Sequence, residues 1–410
     1  MKDNLFVLSE AQLKEIAESL ASKIQKGLAE DGTEILCIPT YLNPKTELED
    51  SKVLVLDLGG TNCRVAIVEF KAGQTFIHPK SGWKKDLSVV MKRPDCTEED
   101  LYKEIADLVA NLNLEGVNSI GYCFSYPAGS MLDGDAILLR WTKGVNIQEM
   151  VGKPIGKSLM DYLNANIKTA DFKSIKVIND TVASLFAGLT DQEAQAHIGL
   201  IVGTGTNMAT FFPADEISKL DTAYKQRGLV PVNLESGNFN PPHLTIVDNK
   251  IDKYSDTPGR QRFEKAISGM YLGRILENTF YTDELEDNFD AEKLTRIMSY
   301  PDMYKKRYVR MAHYIYERSA KLVAASLAGL IQELVRTADK PLSKIRLTAE
   351  GSLFWSEDRK TNGQKFTSYK NLVMDELDSL LKDLGHDSIQ VFVDKMDNAN
   401  LIGSAVAALS

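Results

Sequence analysis

The chain has few cysteines, and their spacing suits no site built from them. Its 410 residues include four cysteines, at positions 37, 63, 96 and 123, and no Cys-x-x-Cys pair occurs. Structural zinc sites and disulfide frameworks need closely spaced or paired cysteines, so the sequence favours neither. Isolated cysteines are typical of a reducing compartment, and we therefore expect the protein in the cytoplasm.

Long apolar runs and an excess of positive charge are also missing. No stretch of roughly 18 apolar residues occurs, although a membrane-spanning helix needs one. The formal net charge is -9, so nucleic acid and anionic membranes repel the chain, and we expect neither as a partner. With 43% hydrophobic residues the chain can still bury a sizeable core, and its length predicts about two or three domains or one two-lobed unit.

Short apolar strands alternate with amphipathic helices along the chain. Ser9 and Gln12 match a capping box at the start of the first helix. This alternation predicts an α/β fold with mixed sheets. The predicted strands span 53–56, 63–68, 119–125, 175–178, 198–202 and 344–348, and the predicted helices span 9–28, 101–112, 150–163, 182–188, 318–334 and 400–409.

The first two strands form a predicted hairpin around two glycines. The apolar run 53–56 ends at Asp57, and the chain resumes as a strand after Asn62. Gly59 and Gly60 lack a Cβ, so backbone N–H groups of this turn can converge on a phosphate. Asp57, at the end of its strand, is placed to hold Mg²⁺ through a water molecule. An ordinary hairpin turn is the simpler explanation of two glycines considered alone.

Two later segments favour a phosphate-binding turn over an ordinary hairpin turn. Another apolar strand ends in the Gly-Thr-Gly sequence at 203–205, and two opposed turns of this kind can grip a polyphosphate from two sides. A third strand ends at Asn179 and Asp180, where a positioned carboxylate can accept a proton from a hydroxyl group. Asp180 is equally a candidate N-cap of the helix that follows, and the two roles are compatible.

Polar side chains in otherwise apolar surroundings form a further set. Asn, Glu, Ser, Thr and Lys supply the donors and acceptors that binding of a polyol requires. Each of them alone is more often a turn former or a surface group. The set comprises Ser125, Thr142, Lys143, Asn207, Glu235, Gln261 and Glu264.

Taken together and in this order, these segments resemble the hexokinase family. LDLGGTNCR is similar to its first phosphate motif, FSYP and RWTKG to its sugar-binding segments, VINDTVAS to the loop of its catalytic aspartate, and LIVGTGTN to its second phosphate motif. NLESGNF is similar to its sugar-binding glutamate segment, and ISGMYLGRIL to a segment beside the nucleotide. The resemblance runs from CIPTYL to AEGSLFW and IGSAVAAL and covers nearly the whole chain.

The resemblance implies a two-lobed actin-like (ribonuclease H-like) α/β fold, with mixed sheets flanked by helices and a sugar and ATP cleft between the lobes. One lobe would comprise 47–178 and 397–410, and the other 1–46 and 179–396. The implied reaction transfers the γ-phosphoryl group of ATP, with Mg²⁺, to the 6-hydroxyl of a hexose. Glucose is the first candidate, followed by mannose, fructose and glucosamine, and the product would feed glycolysis. We expect a monomer or a homodimer.

The resemblance also implies roles for individual residues. Asp180 matches the general base, and Lys143 can offset charge that develops on the transferring group. Sugar-binding positions are matched by Ser125, Tyr126, Thr142, Lys143, Asn179, Asp180, Asn207, Glu235, Gln261 and Glu264. Phosphate, Mg²⁺ and nucleotide positions are matched by Asp57, Leu58, Gly59, Gly60, Thr61, Asn62, Arg64, Thr204, Gly269, Met270, Gly351 and Ser352, with Asp57 as the metal ligand.

Departures from the family pattern lie in the sugar-binding and adenine-binding segments. Ser236 stands where a Trp is common, Asn238 replaces an Ala, and Tyr126 replaces a Phe. The usual Arg-Gln pair is absent from 127–130, so the preferred hexose stays open. On the adenine side, Glu350 stands where an Asp is usual, and the segment 284–304 is shorter.

Two other functions fit parts of this pattern. A non-catalytic sugar sensor would keep the fold, but the chain retains the Asn-Asp-Thr loop and both phosphate turns. An actin-like ATPase without a sugar substrate would not explain the polar set. The two are separated from a sugar kinase by whether ATP turnover depends on added hexose.

Overall fold

The structure is a computed structural model of the chain, and it describes residues 5–45, 49–190, 193–226, 228–280, 290–356 and 368–410. The predicted lobe boundary between 46 and 47, and residues 284–289 of the segment 284–304, lie outside the described residues. The strands are β1 (Ile38–Pro39), β2 (Ser51–Leu58), β3 (Asn62–Lys71), β4 (Gln74–Asp86), β5 (Ser119–Phe124), β6 (Ala128–Ser130), β7 (Ala136–Leu138), β8 (Ser174–Ile178), β9 (Ala196–Val202), β10 (Thr206–Pro213), β11 (Leu229–Asn233), β12 (Lys344–Glu350) and β13 (Gln390–Asp394). The helices are α1 (Glu10–Ala29), α2 (Ser88–Met91), α3 (Glu98–Val109), α4 (Ile155–Asn166), α5 (Asp180–Ala187), α6 (Ile246–Lys253), α7 (Arg262–Ile267), α8 (Gly269–Phe280), α9 (Ala291–Ser299), α10 (Lys306–Thr337), α11 (Tyr369–Asp383) and α12 (Ala399–Ala408).

Two separate sheets organise these elements. The smaller sheet has the strand order β4-β3-β2-β5-β8, and the larger has the order β1-β11-β10-β9-β12-β13. In the smaller sheet β2, β5 and β8 run parallel, while β3 and β4 continue antiparallel from β2. In the larger sheet β9, β12 and β13 are parallel, and β10 and β11 are antiparallel. Both sheets are therefore mixed, as the alternation of strands and helices predicts.

Side-chain caps determine where helices α1 and α6 begin. The Ser9 side chain accepts a hydrogen bond from the backbone of Gln12, and the Gln12 side chain accepts one from the backbone of Ser9. Thr245 and Asp248 form the same reciprocal box at the start of α6. Asp248 also receives two hydrogen bonds, of 2.7 and 2.9 Å, from the buried guanidinium of Arg318 in α10. These caps satisfy N–H groups that the first turn of a helix leaves unpaired. The ion pair of Asp248 with Arg318 also connects the first turn of α6 to α10.

A helix pair fills the space between the two sheets. Helix α5 packs on the larger sheet and α12 on the smaller one, and the two helices cross each other. Their backbones touch closely, because a Cβ added at Gly403 of α12 would lie 1.8 Å from the carbonyl oxygen of Ala183 in α5. On the other side of α5, a Cβ at Gly199 of β9 would lie 2.5 Å from the carbonyl oxygen of Thr181. Only glycine permits such approaches.

The structure confirms most predicted elements and changes the bounds of three helices, since α3 spans 98–109 instead of 101–112 and α10 extends over 306–337 around the predicted 318–334. The hairpin around the two glycines is antiparallel, and the other predicted strands are present with small changes at their ends. Helix α4 begins at Ile155, not at 150, because Gly152 adopts a φ of 80° and Pro154 precedes the first helical residue. A short 3₁₀ turn over Gln148–Met150 accounts for the apolar residue that suggested an earlier start.

Strands β1, β4, β6, β7, β10, β11 and β13 were not predicted. β4 is an edge strand whose sequence, QTFIHPKSGWKKD, contains proline and glycine and has several exposed side chains. Such strands lack the alternation that marks one buried face.

Replacing Gly403 by Ala should destabilise the fold, because α12 would have to move away from α5. Forcing an extra methyl group into close packing costs about 1–3 kcal/mol, so the midpoint of thermal or denaturant unfolding should fall. Gly129→Ala is the matched control, since its Cβ would meet only Leu139 Cδ2, at an ordinary 3.8 Å. Equal midpoints for the two variants would contradict the proposed helix contact.

Candidate active site

A carboxylate and a guanidinium meet where β2 ends. Asp57 and Arg64 are directly opposite each other on β2 and β3. Arg64 donates from Nη2 and Nε to Asp57 Oδ2, at 2.7 and 3.1 Å, and from Nη1 to Asn398 Oδ1, at 3.1 Å. Burial disfavours the charged guanidinium, but the attraction of Asp57 outweighs it and raises the pKa of Arg64. The pair leaves Asp57 Oδ1 without a hydrogen bond from Arg64.

The glycine turn follows this pair, and Lys143 packs against it. A Cβ at Gly60 would lie 2.5 Å from Lys143 Cδ, so this contact requires a glycine. Lys143 Nζ donates to the carbonyl oxygen of Ser125 at 2.8 Å and lies over the ring of Tyr126. The Tyr126 hydroxyl donates to the carbonyl oxygen of Gly59 at 3.1 Å. The predicted sugar-binding segments and the first phosphate turn therefore form one surface.

An open cavity of about 530 Å³ lies on this turn. Leu58 is the last residue of β2 before the turn, and its side chain is buried in the core of the smaller sheet. Backbone N–H groups, a guanidinium and a lysine give the cavity the donors that a polyphosphate needs. It is lined by Asp57, Gly59, Gly60, Thr61, Asn62, Arg64, Gly82, Lys84 and Asn398.

Two other segments pack against the second turn. The N–H of Gly269, at the start of α8, donates to the carbonyl oxygen of Gly203 at 2.7 Å, and the N–H of Met270 donates to the carbonyl oxygen of Thr204 at 3.4 Å. A Cβ at Gly203 would lie 3.2 Å from the Cα of Gly351, which is followed by the exposed Ser352. The structure thus gathers the nucleotide residues predicted outside the first turn around 203–205.

Asp180 is not the helix cap. The N-cap of α5 is Asn179, whose Oδ1 accepts a 2.9 Å hydrogen bond from the backbone N–H of Thr181, and Asp180 is the first helical residue. The cap falls at Asn179 because its backbone is extended while that of Asp180 is already helical. Asp180 Oδ1 also accepts from the Thr181 N–H, at 2.9 Å. Only Oδ1 has hydrogen-bond partners among the described residues.

Glu235 and Glu264 are held in the same way, by one oxygen each. Glu235 Oε1 accepts from Asn233 Nδ2 at 2.8 Å, and Glu264 Oε2 accepts from the N–H of Thr206 at 3.1 Å. Within the described part of the chain, no partner is found for Glu235 Oε2 or Glu264 Oε1. Asn207 is fixed more completely, since its Oδ1 accepts from two backbone N–H groups and its Nδ2 donates to Asn233.

Mutual electrostatic effects place these groups close together. Burial raises the pKa of Glu235, the charge of Asp180 raises it further, and Arg140 and Lys143 oppose the rise. Burial also raises the pKa of Glu264, with Lys143 opposing and Glu235 adding to the effect. Lys143 therefore lies within electrostatic reach of both glutamates, and Asp180 lies within reach of Glu235. Each of the three carboxylates has one oxygen held by the protein.

Other predicted residues lie at the margin of this group. Thr142 is half-buried next to Lys143. Gln261 precedes α7, and its Oε1 accepts from the hydroxyl of Thr257 at 3.2 Å, not from another member of the predicted sugar set. A small cavity of about 30 Å³ lies beside Asn179 and Glu235 and is also lined by Thr40 and Asn233, which the sequence did not single out. Thr40 lies in the segment CIPTYL, and Asn233 is the first residue of the motif NLESGNF.

The comparisons with known proteins agree on one family. Two sequence models of hexokinases match the chain, the first at residues 3–189 and the second at 197–299 and 277–410. Hexokinase-7 of Oryza sativa subsp. japonica is 28% identical over 447 residues, which cover 97% of this chain and 93% of that protein. Hexokinase-1 of Saccharomyces cerevisiae is 31% identical over 291 residues, covering 67% of this chain and 59% of that one. The chain belongs to the hexokinase family.

Solved hexokinases share the fold. A hexokinase from Schistosoma mansoni complexed with glucose superposes with a TM-score of 0.79 at 24% identity, over 99% of this chain and 96% of that one. A second hexokinase crystal structure gives 0.81 at 22% identity, over 100% and 98%. The predicted two-lobed actin-like fold is confirmed, and the protein is an enzyme for ATP-dependent hexose phosphorylation. No helix in the described ranges is long and apolar enough to cross a membrane.

Glu350 lies within electrostatic reach of Asp57, Arg64 and Asp180, but the sequence marked it only as a departure from the family's Asp. It ends β12, and burial raises its pKa to about 7, with Arg64 opposing and Asp57 and Asp180 adding to the rise. Its carboxylate also accepts a hydrogen bond from the backbone of Asn400 in α12. Its place at a strand end, the feature that marked Asp57 and Asp180, was the available signal.

Replacing Glu350 by Gln should change how stability depends on pH. The folded chain keeps the Glu350 proton up to about pH 7, whereas the unfolded chain loses it near pH 4.5. Protonated Glu350 therefore stabilises the fold at low pH, and this contribution is lost as pH rises from about 4.5 through 7. The free energy of unfolding of Glu350→Gln minus that of wild type should therefore increase between pH 5 and pH 8, by on the order of 2 kcal/mol.

The measurement is the midpoint of unfolding of both proteins at several pH values between 5 and 8. The exposed Glu115→Gln provides the control, and the amide oxygen introduced by Glu350→Gln can still accept from the backbone of Asn400. A difference from wild type that does not vary with pH would contradict the prediction.

Proposed function

We propose that the enzyme phosphorylates the 6-hydroxyl of glucose, with mannose, fructose and glucosamine as further candidate substrates. The product would enter glycolysis in the cytoplasm, and the enzyme would act as a monomer or a homodimer. The observation that carries the proposal is a set of half-buried carboxylates, in which Asp180 acts on Glu235 and Glu235 on Glu264, together with Lys143, which acts on both glutamates and packs on the first glycine turn. A polyol needs several fixed acceptors, and a phosphoryl group needs nearby cations and N–H donors.

The sugar is proposed to bind through the oxygens that the protein leaves free. Glu235 Oε2, Glu264 Oε1 and Asp180 Oδ2 have no hydrogen-bond partner among the described residues. Each of these carboxylates is held in position by its other oxygen, so accepting from a sugar hydroxyl requires little reordering. Ser125, Tyr126, Thr142, Asn179, Asn207 and Gln261 are proposed to complete the sugar site.

Asp180 is proposed as the general base. Its Oδ1 is tied to the N–H of Thr181, which leaves Oδ2 to accept the proton of the 6-hydroxyl as the bond to phosphorus forms. Lys143, whose Nζ lies 2.8 Å from the Ser125 carbonyl oxygen, is placed to offset negative charge on the transferring group. The deprotonated hydroxyl attacks the γ-phosphorus, the bond to the β-phosphate oxygen breaks, and ADP leaves.

The two turns are proposed to hold the nucleotide. Gly59, Gly60 and Thr61 would bind the phosphates with backbone N–H groups, and the segments around Thr204, Gly269, Met270, Gly351 and Ser352 would line the adenosine side. Mg²⁺ fits at Asp57, because Arg64 uses only Oδ2 and a hard cation prefers carboxylate oxygen. When bound, the ion would neutralise charge on the phosphates. Within the described ranges no group of three or more ligating side chains exists, which suits an ion held mostly by phosphate and water.

The lobes are proposed to follow the two sheets. The smaller sheet and α12 would form the lobe 47–178 plus 397–410, and the larger sheet and α5 the lobe 1–46 plus 179–396. The contacts of α12 with β2 and β5, and of α5 with β9 and β10, support this division.

Added hexose should control ATP turnover. With Mg²⁺ and ATP present, glucose should give the highest rate of ADP release in a coupled assay, compared with mannose, fructose, glucosamine and N-acetylglucosamine. Pentoses and 6-deoxyglucose, which lack the accepting hydroxyl, are the controls. ADP release that is equal with and without every hexose would contradict the proposal.

Replacing Asp180 by Ala or Asn should remove the base. A positioned general base contributes on the order of 10²–10⁴ in rate, so kcat should fall by about that factor while the KM for glucose changes much less. Because Asn179 caps α5, the loss of Asp180 should cost little stability. The assay measures kcat, KM and the melting temperature of each variant. A variant with a lower melting temperature and a nearly normal kcat would remove Asp180 from the mechanism.

A further inference from the structure

One row of side chains crosses the smaller sheet beside the first phosphate turn. Asp57 on β2 is directly opposite Arg64 on β3, and Arg64 is directly opposite Lys84 on β4. Residues that are directly opposite across neighbouring strands point to the same face of a sheet. Lys84 therefore lies on the face that carries Asp57 and Arg64, and it lines the cavity on the glycine turn.

The two cations in this row, Arg64 and Lys84, differ in whether the protein already binds them. The guanidinium of Arg64 is committed to Asp57 and Asn398 by three hydrogen bonds. Lys84 is exposed, and it makes no hydrogen bond or ion pair with any residue that the structure describes. Even the nearby carboxylate of Asp86 accepts its hydrogen bonds from Ser88 instead. Lys84 is thus a cation still available to a ligand in the cavity.

We propose that Lys84 binds the terminal phosphates of the nucleotide. Neighbouring strands are about 4.8 Å apart, so the Cα atoms of Lys84 and Asp57 are separated by about 10 Å, a span that a flexible four-carbon stem can largely cover. Lys84 lines the cavity on the glycine turn itself, and Lys143 packs on Gly60 of the same turn. This inference rests on the proposed use of the first turn for phosphate.

Lys84 has a second conceivable role that needs no ligand. β4 is the edge of the smaller sheet, and lysines on edge strands prevent pairing with other chains. Lys85 separates the two roles. It is the next residue on the same strand but points to the opposite face, where it is ion-paired with Glu104 of α3. Lys84→Ala and Lys85→Ala change the net charge equally, and only the first removes a cation from the cavity.

The experiment compares wild type, Lys84→Ala, Lys84→Arg and Lys85→Ala. Lys84→Ala should raise the KM for Mg-ATP by about tenfold, because it removes a charge-assisted hydrogen bond, while the KM for hexose and kcat change by less than about threefold. Lys84→Arg should restore most of the affinity, and Lys85→Ala should behave as wild type. The difference between wild type and Lys84→Ala should shrink at high salt, since the interaction is electrostatic.

A binding measurement without turnover makes the result independent of the proposed reaction. Inorganic tripolyphosphate, titrated calorimetrically in the absence of sugar, should bind about tenfold more weakly to Lys84→Ala than to Lys85→Ala. Adenosine, which carries no phosphate, should bind both variants equally. Equal tripolyphosphate affinities would overturn the role of Lys84, even if the enzyme phosphorylates hexoses. Lysine-dependent binding without phosphorylation of any hexose would instead overturn the proposed function and leave this inference standing.

Discussion

The close crossing of α5 and α12 is the constraint on which the site depends. Asp180 is the first residue of α5, so the helix starts where β8 of the smaller sheet ends and then packs on the larger sheet. Helix α5 therefore connects the proposed base, which lies at the end of the smaller sheet, to the larger sheet. The backbone contact at Gly403 keeps α12 against α5, and Asn398 and Asn400 at the start of α12 reach Arg64 and Glu350. A shift of either helix would move groups on both sides of the phosphate site together.

A second condition is that neighbouring half-buried carboxylates must remain compatible with one another. Asp180 acts on Glu235 and Glu350, Glu235 acts on Glu264, and Asp57 acts on Glu350. Arg64 and Lys143 supply the positive charge nearest to them, and the pKa values of the three glutamates are still raised. In the proposed site, a hexose would donate hydrogen bonds from its hydroxyl groups to such acceptors, and Mg²⁺ with the cationic side chains would balance the charge of the phosphates.

More of the polar residues and glycine turns of the candidate site could be recognised in the sequence than of the strands that surround them. Asp57, Asp180 and the two glycine turns could be recognised because each follows a short apolar strand, and that pattern survives in a single sequence. Lys84, Asn233 and Asn398 could not, because their positions depend on strand pairing between distant segments. β4 has no buried alternation, and Asn398 owes its place to a left-handed backbone conformation, with a φ of 59°, at the start of α12. The assignment of the α5 cap failed for a local reason. Asn and Asp are both good caps, and only the backbone conformation distinguishes Asn179 from its neighbour.

Selectivity for one hexose follows from which polar atoms the protein has already used. The amide nitrogen and oxygen of Asn207 form hydrogen bonds with Asn233 and Ser236 on either side of Glu235, so Asn207 also helps to fix the loop of Glu235 within the proposed sugar site. Glu235 itself sits in a left-handed conformation, with a φ of 55°, which its hydrogen bonds to Asn233 support. Ser236, in the place of the more common Trp, is fully buried and directly follows Glu235. In the proposed sugar site, Ser236 would therefore influence selectivity through the position of Glu235, whose Oε2 would face a sugar hydroxyl.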